Sequence, residues 1–263
     1  MQRANEFPSR HSAAQAISRD LVPIAYEVAG VGKPLLLLHG FTESRACWFE
    51  AGYVEAFAAR GRQLVLMDCR GHGASGKPHA AAAYTARKCA EDVAAVLDSA
   101  GIASADVMGH SMGGAIALAA ALHIPDRIGA LVVNGAHPFA QDLSAYRSAI
   151  SLNFEPWLEW GEQMAPAWLS AETRQRILAN DIYALRACIA CDRPDRSSAL
   201  AQLRVPTLSI AGMLDPIYED VRRFADLVGG RFLPLEDKNH LTAFFHAGDI
   251  IPTVEAFLAE DRS

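Results

Sequence analysis

The chain has 263 residues, of which 51% are hydrophobic and 21% charged, and its formal net charge is -6 at pH 7. Those proportions suit one α/β domain with an insertion and a sizeable buried core, rather than two independent domains. The acidic balance and the lack of any Lys/Arg run exclude a polyanion-binding surface, so neither nucleic acid nor an anionic membrane is expected as a partner.

Residues 1–14 read as a loose polar arm. From Ile17 to Val28 there is room for two short strands, with Ile24, Tyr26 and Val28 on alternate positions and Gly30-Val31-Gly32 closing the second; this predicts a hairpin. Leu35 to Leu38 is an uninterrupted apolar run, which suits a strand covered on both faces, and it ends in His39-Gly40-Phe41. Cys47 to Arg60 has helical spacing and stops at Gly61. Gln63 to Met67 is a further buried strand, followed by the glycine-rich loop Asp68 to Pro78. That loop lacks the Gly-Lys-Ser/Thr ending of a phosphate-binding loop and reads as a structural turn. Tyr84 to Ala100 is an amphipathic helix ended by Gly101.

Next comes Asp106-Val107-Met108-Gly109-His110-Ser111-Met112-Gly113-Gly114, leading into Ala115 to Ala121. It reads as a strand, a tight turn carrying one serine, and an alanine-rich helix, which is the context that G-x-S-x-G requires of a nucleophile elbow. Ile128 to Val133 is another strand. Strands and helices alternate from Leu35 to this point, the signature of a parallel sheet with helices on both faces. Between Phe139 and Leu203 the segments are helical, and they hold three of the four tryptophans, Trp157, Trp160 and Trp168. Strand rhythm resumes at Pro206 to Ala211 and ends in Gly212-Met213-Leu214-Asp215. A helix from Tyr218 to Val228, a strand from Arg231 to Leu235, the loop Glu236 to His240 and a helix from Asp249 to Glu260 complete the chain.

The five cysteines are scattered and odd in number, which argues for reduced thiols rather than a disulfide framework. Cys188-x-x-Cys191 has no second ligand pair to complete a zinc set, and no metal or cofactor is expected. No apolar run approaches the roughly 20 residues of a membrane span, and the first twenty residues hold no signal-peptide core, so a cytoplasmic protein is expected.

A serine hydroxyl is a poor nucleophile at neutral pH and needs a base, itself oriented by a carboxylate. His240 follows a predicted strand, and Asp215 ends one, which is where active-site groups gather in open α/β sheets. His246 is the reserve base. The order Ser111, Asp215, His240 is that of the α/β-hydrolase fold.

On His39-Gly40-Phe41, the Asp68-x-Arg70-Gly71-His72-Gly73-x-Ser75 loop, the Gly109–Gly114 elbow, Gly212-x-x-Asp215 and Asn239-His240, the chain resembles the α/β-hydrolase superfamily from about Pro34 to Phe257, except between His137 and Leu203. The resemblance implies a mostly parallel, eight-stranded sheet flanked by helices, a core made of residues 1–136 and 204–263, and a helical lid over 137–203. It also implies Ser111 as nucleophile, His240 as base and then acid, Asp215 as orienting acid, and the backbone N–H groups of Phe41 and Met112 as oxyanion donors. Aspartate-nucleophile members are excluded by Ser111. His137, Phe154, Trp157, Trp160 and Met164 are the expected pocket residues, and large apolar side chains opposite a nucleophile make a dry pocket. A small or medium apolar ester is therefore the expected substrate. The alternatives are a carbon–carbon bond or amide hydrolase, with Arg147 or Arg186 holding a substrate carboxylate, and a ligand-binding receptor on a hydrolase scaffold. The sequence leaves the oligomeric state open.

Overall fold

The apolar runs Leu35–Leu38 and Leu64–Met67 have no polar face to turn to water, and in the computed structural model they lie side by side in the middle of one sheet. The structure describes residues 12–151, 153–166 and 169–260. Its strands are β1 (Ser12–Ile17), β2 (Pro23–Gly30), β3 (Lys33–Leu38), β4 (Arg62–Met67), β5 (Ala105–His110), β6 (Ile128–Asn134), β7 (Thr207–Gly212) and β8 (Arg231–Leu235). They form an eight-stranded sheet in the order β1-β2-β4-β3-β5-β6-β7-β8. β1 and β2 form a hairpin, but its first strand, Ser12–Ile17, precedes the Ile17–Val28 stretch expected to hold both strands; β2 is also antiparallel to β4, and every other pairing is parallel.

This order positions the site. After β3 the chain steps to one side to make β4, then crosses to the other side of β3 to make β5. A reversal of that kind opens a crevice at the carboxyl ends of the two strands, where loops can converge on a ligand. The loop after β3 carries His39-Gly40-Phe41, and the turn after β5 carries Ser111.

The helices are α1 (Ala46–Glu50), α2 (Tyr53–Ala58), α3 (Ala86–Ser99), α4 (Met112–His123), α5 (Ser144–Ala149), α6 (Glu155–Met164), α7 (Ala171–Leu178), α8 (Ile182–Cys188), α9 (Ser197–Leu200), α10 (Tyr218–Val228), α11 (Thr242–Phe245) and α12 (Ala247–Leu258). Alternate positions of each strand point to opposite faces, so the sheet feeds two cores. Leu36, Val65, Val107 and Val133 pack with α3 and α4. Leu35, Leu37, Met108 and Val132 pack with Trp48, Tyr53, Phe57 and Phe257 on the other side. Helices α5 to α9 lie between β6 and β7, and a backbone bridge from Gln141 to Arg193 ties the two ends of that segment together.

Several details differ from the expectations drawn from the sequence. The helix expected from Cys47 to Arg60 is two, because Gly52 takes the left-handed conformation (φ 78°) between α1 and α2. The last helix begins at Ala247 rather than Asp249 and carries Pro252 within it. Of the polar arm, residues 1–11 lie outside the described residues, while Ser12–Ala14 are in β1, paired with Val28–Tyr26. Trp168 also lies outside the described residues. No helix among those described is long and apolar enough to cross a membrane.

Candidate active site

Ser111 sits between β5 and α4 with φ 54° and ψ -113°, a conformation that costs a side-chain-bearing residue roughly 1–3 kcal/mol. Its neighbours hold it there. The Ser111 N–H donates to the Asn134 carbonyl at 2.8 Å, and its own carbonyl accepts from Ala115 N–H at 3.0 Å. The flanking glycines answer to space: a Cβ on Gly109 would stand 2.2 Å from the Gly113 carbonyl oxygen, and one on Gly113 would stand 2.0 Å from that of Leu38. A strand, helix and neighbouring strand this close leave room for G-x-S-x-G and little else.

The other two expected groups arrive from neighbouring strand ends. Asp215 follows β7 and is 5% exposed, and His240 follows β8. Their loops meet at Gly212, where a Cβ would stand 2.2 Å from the Lys238 carbonyl oxygen. His240 Nδ1 lies 2.6 Å from Asp215 Oδ2, and His240 Nε2 lies 2.8 Å from Ser111 Oγ. A carboxylate oxygen accepts, so Nδ1 carries the ring hydrogen and Nε2 is left to accept from the serine hydroxyl. The arrangement can therefore draw a proton from Ser111.

The loop after β3 passes beside the serine: a Cβ on Gly40 would stand 3.8 Å from Ser111 Cβ. His39 pins this loop. Its Nε2 accepts from Cys69 N–H at 3.0 Å, which leaves Nδ1–H to donate to the Gly40 carbonyl at 2.8 Å. Burial pushes the His39 pKa down to about 4, so the ring stays neutral and keeps that tautomer. Among the described residues, the N–H groups of Phe41 and Met112 enter no hydrogen bond, and Met112 opens the positive end of α4.

The segment between β6 and β7 grips the same loop. Trp157 Nε1 donates to Thr42 Oγ1 at 2.9 Å, Asn180 Nδ2 donates to the Thr42 carbonyl at 2.8 Å, and Arg176 pairs with Glu43 at 2.8 Å. Thr42 itself has φ 65°, a strained position that these contacts help to hold. The Asp68–Ser75 loop is structural, as its sequence implies. The Asp68 carboxylate accepts from the N–H groups of Arg45 and Ala74, and Arg70 is buried against Asp92 and Asp20.

The space at Ser111 is about 30 Å³, room for little more than a water molecule or two. Of the expected pocket residues, Trp157 and Trp160 line it. His137, Phe154 and Met164 do not. His137 stacks on Phe139 and lies 3.9 Å from Asp220, Phe154 is buried in the core, and the Met164 carbonyl accepts from Asn239 Nδ2 at 2.7 Å. His246 is also away from the serine, with its Nδ1 bonded to the Thr242 carbonyl. Arg147 is engaged by Asp142, Asp192 and the Ile189 carbonyl, and Arg186 is exposed.

Residues that sequence reasoning does not single out complete the wall: Tyr146, Phe244, Phe245 and Glu43. The one signal for them is the Phe244-Phe245 pair, close behind His240. His110 packs beneath the site, between His240 and Phe244 at ring distances of 5.2 and 4.8 Å, and its burial together with the His240 ring holds its pKa well below the usual range.

Comparison with known proteins agrees with this frame. Residues 33–189 match the family model described as alpha/beta hydrolase fold. The chain is 32% identical over 212 residues to RutD of Azorhizobium caulinodans, named as a carbamate hydrolase, an alignment that spans 73% of this chain and 77% of that one. It is 36% identical over 107 residues to 2-hydroxymuconate semialdehyde hydrolase of a Pseudomonas species, and that match spans 41% of this chain and 38% of the relative. A crystal structure of a hydrolase from Pseudomonas aeruginosa superposes with a TM-score of 0.83, covering 97% of this chain and 100% of that one at 23% identity, a likeness of fold.

Proposed function

The chain belongs to the alpha/beta hydrolase family and is a hydrolase of that fold, and from that premise we propose that it is a serine esterase acting on small or medium, largely apolar carboxylic esters. The observation that carries the reading is the unbroken chain of hydrogen bonds from Asp215 through His240 to Ser111.

In this reading Ser111 Oγ attacks the ester carbonyl while His240 Nε2 takes its proton, and Asp215 holds the ring in the required tautomer and stabilises the imidazolium that forms. The negative charge that develops on the carbonyl oxygen is met by the N–H groups of Phe41 and Met112 and by the positive end of α4. His240 then passes its proton to the leaving alcohol, and an acyl group remains on Ser111. Water repeats the sequence on the acyl-enzyme, with His240 again as base, and releases the acid.

Residues 137–203 act as the lid. The aromatic wall of Tyr146, Trp157, Trp160 and Phe245 supports the apolar part of the proposal, since such a wall excludes water and favours apolar groups. All five cysteines are free thiols, which fits a cytoplasmic protein. The test is a substrate panel: p-nitrophenyl acetate and butyrate, a lactone, an acyl amide and a vinylogous diketone. The proposal expects turnover of the simple esters to lead. Turnover of the diketone or the amide without the esters would remove it.

A further inference from the structure

Beside the small space at Ser111 lies a much larger one, of about 470 Å³. One wall is a face of α4, made by Met112, Ala115, Ile116 and Ala119, and the opposite wall includes Cys188 and Arg193. Met112 directly follows the serine in the chain and lines this cavity, while Ser111 lines the smaller space. The Met112 thioether sulfur lies 3.8 Å from the Cys188 sulfur, and an unbranched methionine can swing aside and join the two spaces. Tyr146, which lines the smaller space, is close enough to Arg193 to be influenced by its charge.

The charges of this cavity are unevenly satisfied. Arg70 is saturated by Asp92 and Asp20. Asp192 is taken by Arg147 and by the Leu143 N–H. Arg193 and Arg196 both line the cavity, are partly buried and have no carboxylate partner among the described residues; Arg193 lies nearer the serine's helix face and donates from Nη1 only to the neutral Gln141 Oε1, at 2.7 Å. Burial pushes its pKa down, and the neighbouring Arg196 adds to the effect. A guanidinium stays charged even so, and a partly desolvated cation without an anion carries a cost that a bound carboxylate would relieve. Its planar fork matches a carboxylate in bidentate fashion. Ala115 and Ala119, which share a second small space with Arg193, lie one to two helical turns from Ser111, about 6–12 Å along the axis.

We infer that the ester carries a free carboxylate at the far end of its acyl chain, a half-ester of a dicarboxylic acid, with the chain lying along α4 past Met112 and the carboxylate held by Arg193. This rests on the serine-esterase reading and narrows its substrate class. The small space at Ser111 holds the scissile carbonyl, and the larger cavity supplies the room for the acyl chain that the smaller one lacks.

The test reads binding rather than turnover. Monoethyl succinate, adipate and suberate, and the neutral primary amides of the same half-esters, are titrated calorimetrically into the Ser111→Ala protein. At least one half-ester is expected to bind tenfold or more tightly than its amide. Adding Arg193→Ala is expected to erase that preference, Arg193→Lys to keep part of it, and Ala119→Leu, which fills the cavity without touching a charge, to weaken acid and amide alike. Thermal unfolding checks that each variant is folded, and Arg193→Lys and Ala119→Leu carry the test if Arg193→Ala is not. Equal affinities for acid and amide, a preference that survives Arg193→Ala, or no binding of any half-ester to the folded protein would overturn the inference. Each of those results stands apart from failure of the esterase reading, which is read on the wild-type protein with neutral esters.

Discussion

Gly135 leaves the space that the His240 ring occupies: a Cβ at this position would stand 3.0 Å from His240 Cε1 and 3.2 Å from Nδ1. Gly135 also has φ 63°, and its N–H donates to the Ile210 carbonyl at 2.9 Å, so the turn cannot easily drift away to relieve a contact. Gly135→Ala is therefore expected to push the imidazole off the line between Asp215 and Ser111. Displacements of that order lower kcat by about tenfold to a hundredfold with little change in KM. Steady-state kinetics on p-nitrophenyl butyrate check this, and a rise in KM at unchanged kcat would place the effect in binding instead.

Asp215→Asn keeps the size of the side chain and removes its obligation to accept. The amide can donate to His240 Nδ1, which favours the tautomer with the hydrogen on Nε2, the wrong one for taking the Ser111 proton. A fall in kcat of about 10⁴-fold is expected, with the fold intact by circular dichroism. A loss of less than tenfold would mean that Asp215 does not orient the base.

Trp157→Phe keeps an aromatic ring in the wall of the site but deletes the donor to Thr42 Oγ1. Loss of that bond leaves a buried hydroxyl without its partner, a cost of roughly 1–3 kcal/mol, and loosens the strained loop that presents the Phe41 N–H. Lower thermal stability together with lower kcat is expected. Reduced stability at unchanged kcat would show that the contact supports the fold and not the proposed donor role of the Phe41 N–H.

The buried histidines make stability depend on pH. Burial pulls His39 down to about 4 and His72 to about 3, and His110 lies well below the ordinary value. In the unfolded chain these rings protonate near pH 6.5, while in the folded protein they stay neutral until the lower values are reached. Below pH 6.5 the unfolded state thus binds more protons, and stability falls with pH, by about 1.4 kcal/mol per pH unit for each ring. Above that pH they contribute nothing to the slope. Urea unfolding at pH 7.5, 6.5, 5.5 and 5.0 is expected to show a plateau and then a steep loss, and a flat profile from 6.5 to 5.0 would contradict the neutral assignments.

Much of the fold and of the site is legible in the amino-acid sequence, for reasons that differ from element to element. β3 and β4 stand out because uninterrupted apolar runs belong inside a parallel sheet, and α10 and β8 have the bounds that their spacing predicts. The elbow, Asp215 and His240 are legible because each needs a specific residue type at the end of a strand. The split at Gly52 is not, since an isolated glycine inside a helical pattern is often tolerated. Nor are the facing residues of the helical segment. Trp157 and Trp160 share one face of α6 and reach the serine, whereas Phe154 caps that helix in the core and Met164 ends it against Asn239. Arg193 illustrates the same limit: that Asp92 goes to Arg70 and that Asp142 and Asp192 go to Arg147 is set by the fold, and spacing along the chain does not reveal it.

The proposal as a whole stands on Ser111 being a nucleophile activated by His240. Fluorophosphonate labelling read by peptide mass spectrometry addresses this directly. The wild-type protein is expected to take one label, on the peptide that contains Ser111, while Ser111→Ala takes none and His240→Ala is labelled slower by several orders of magnitude. Labelling that persists in Ser111→Ala, or a wild-type protein that resists the probe yet still hydrolyses esters, would contradict the account.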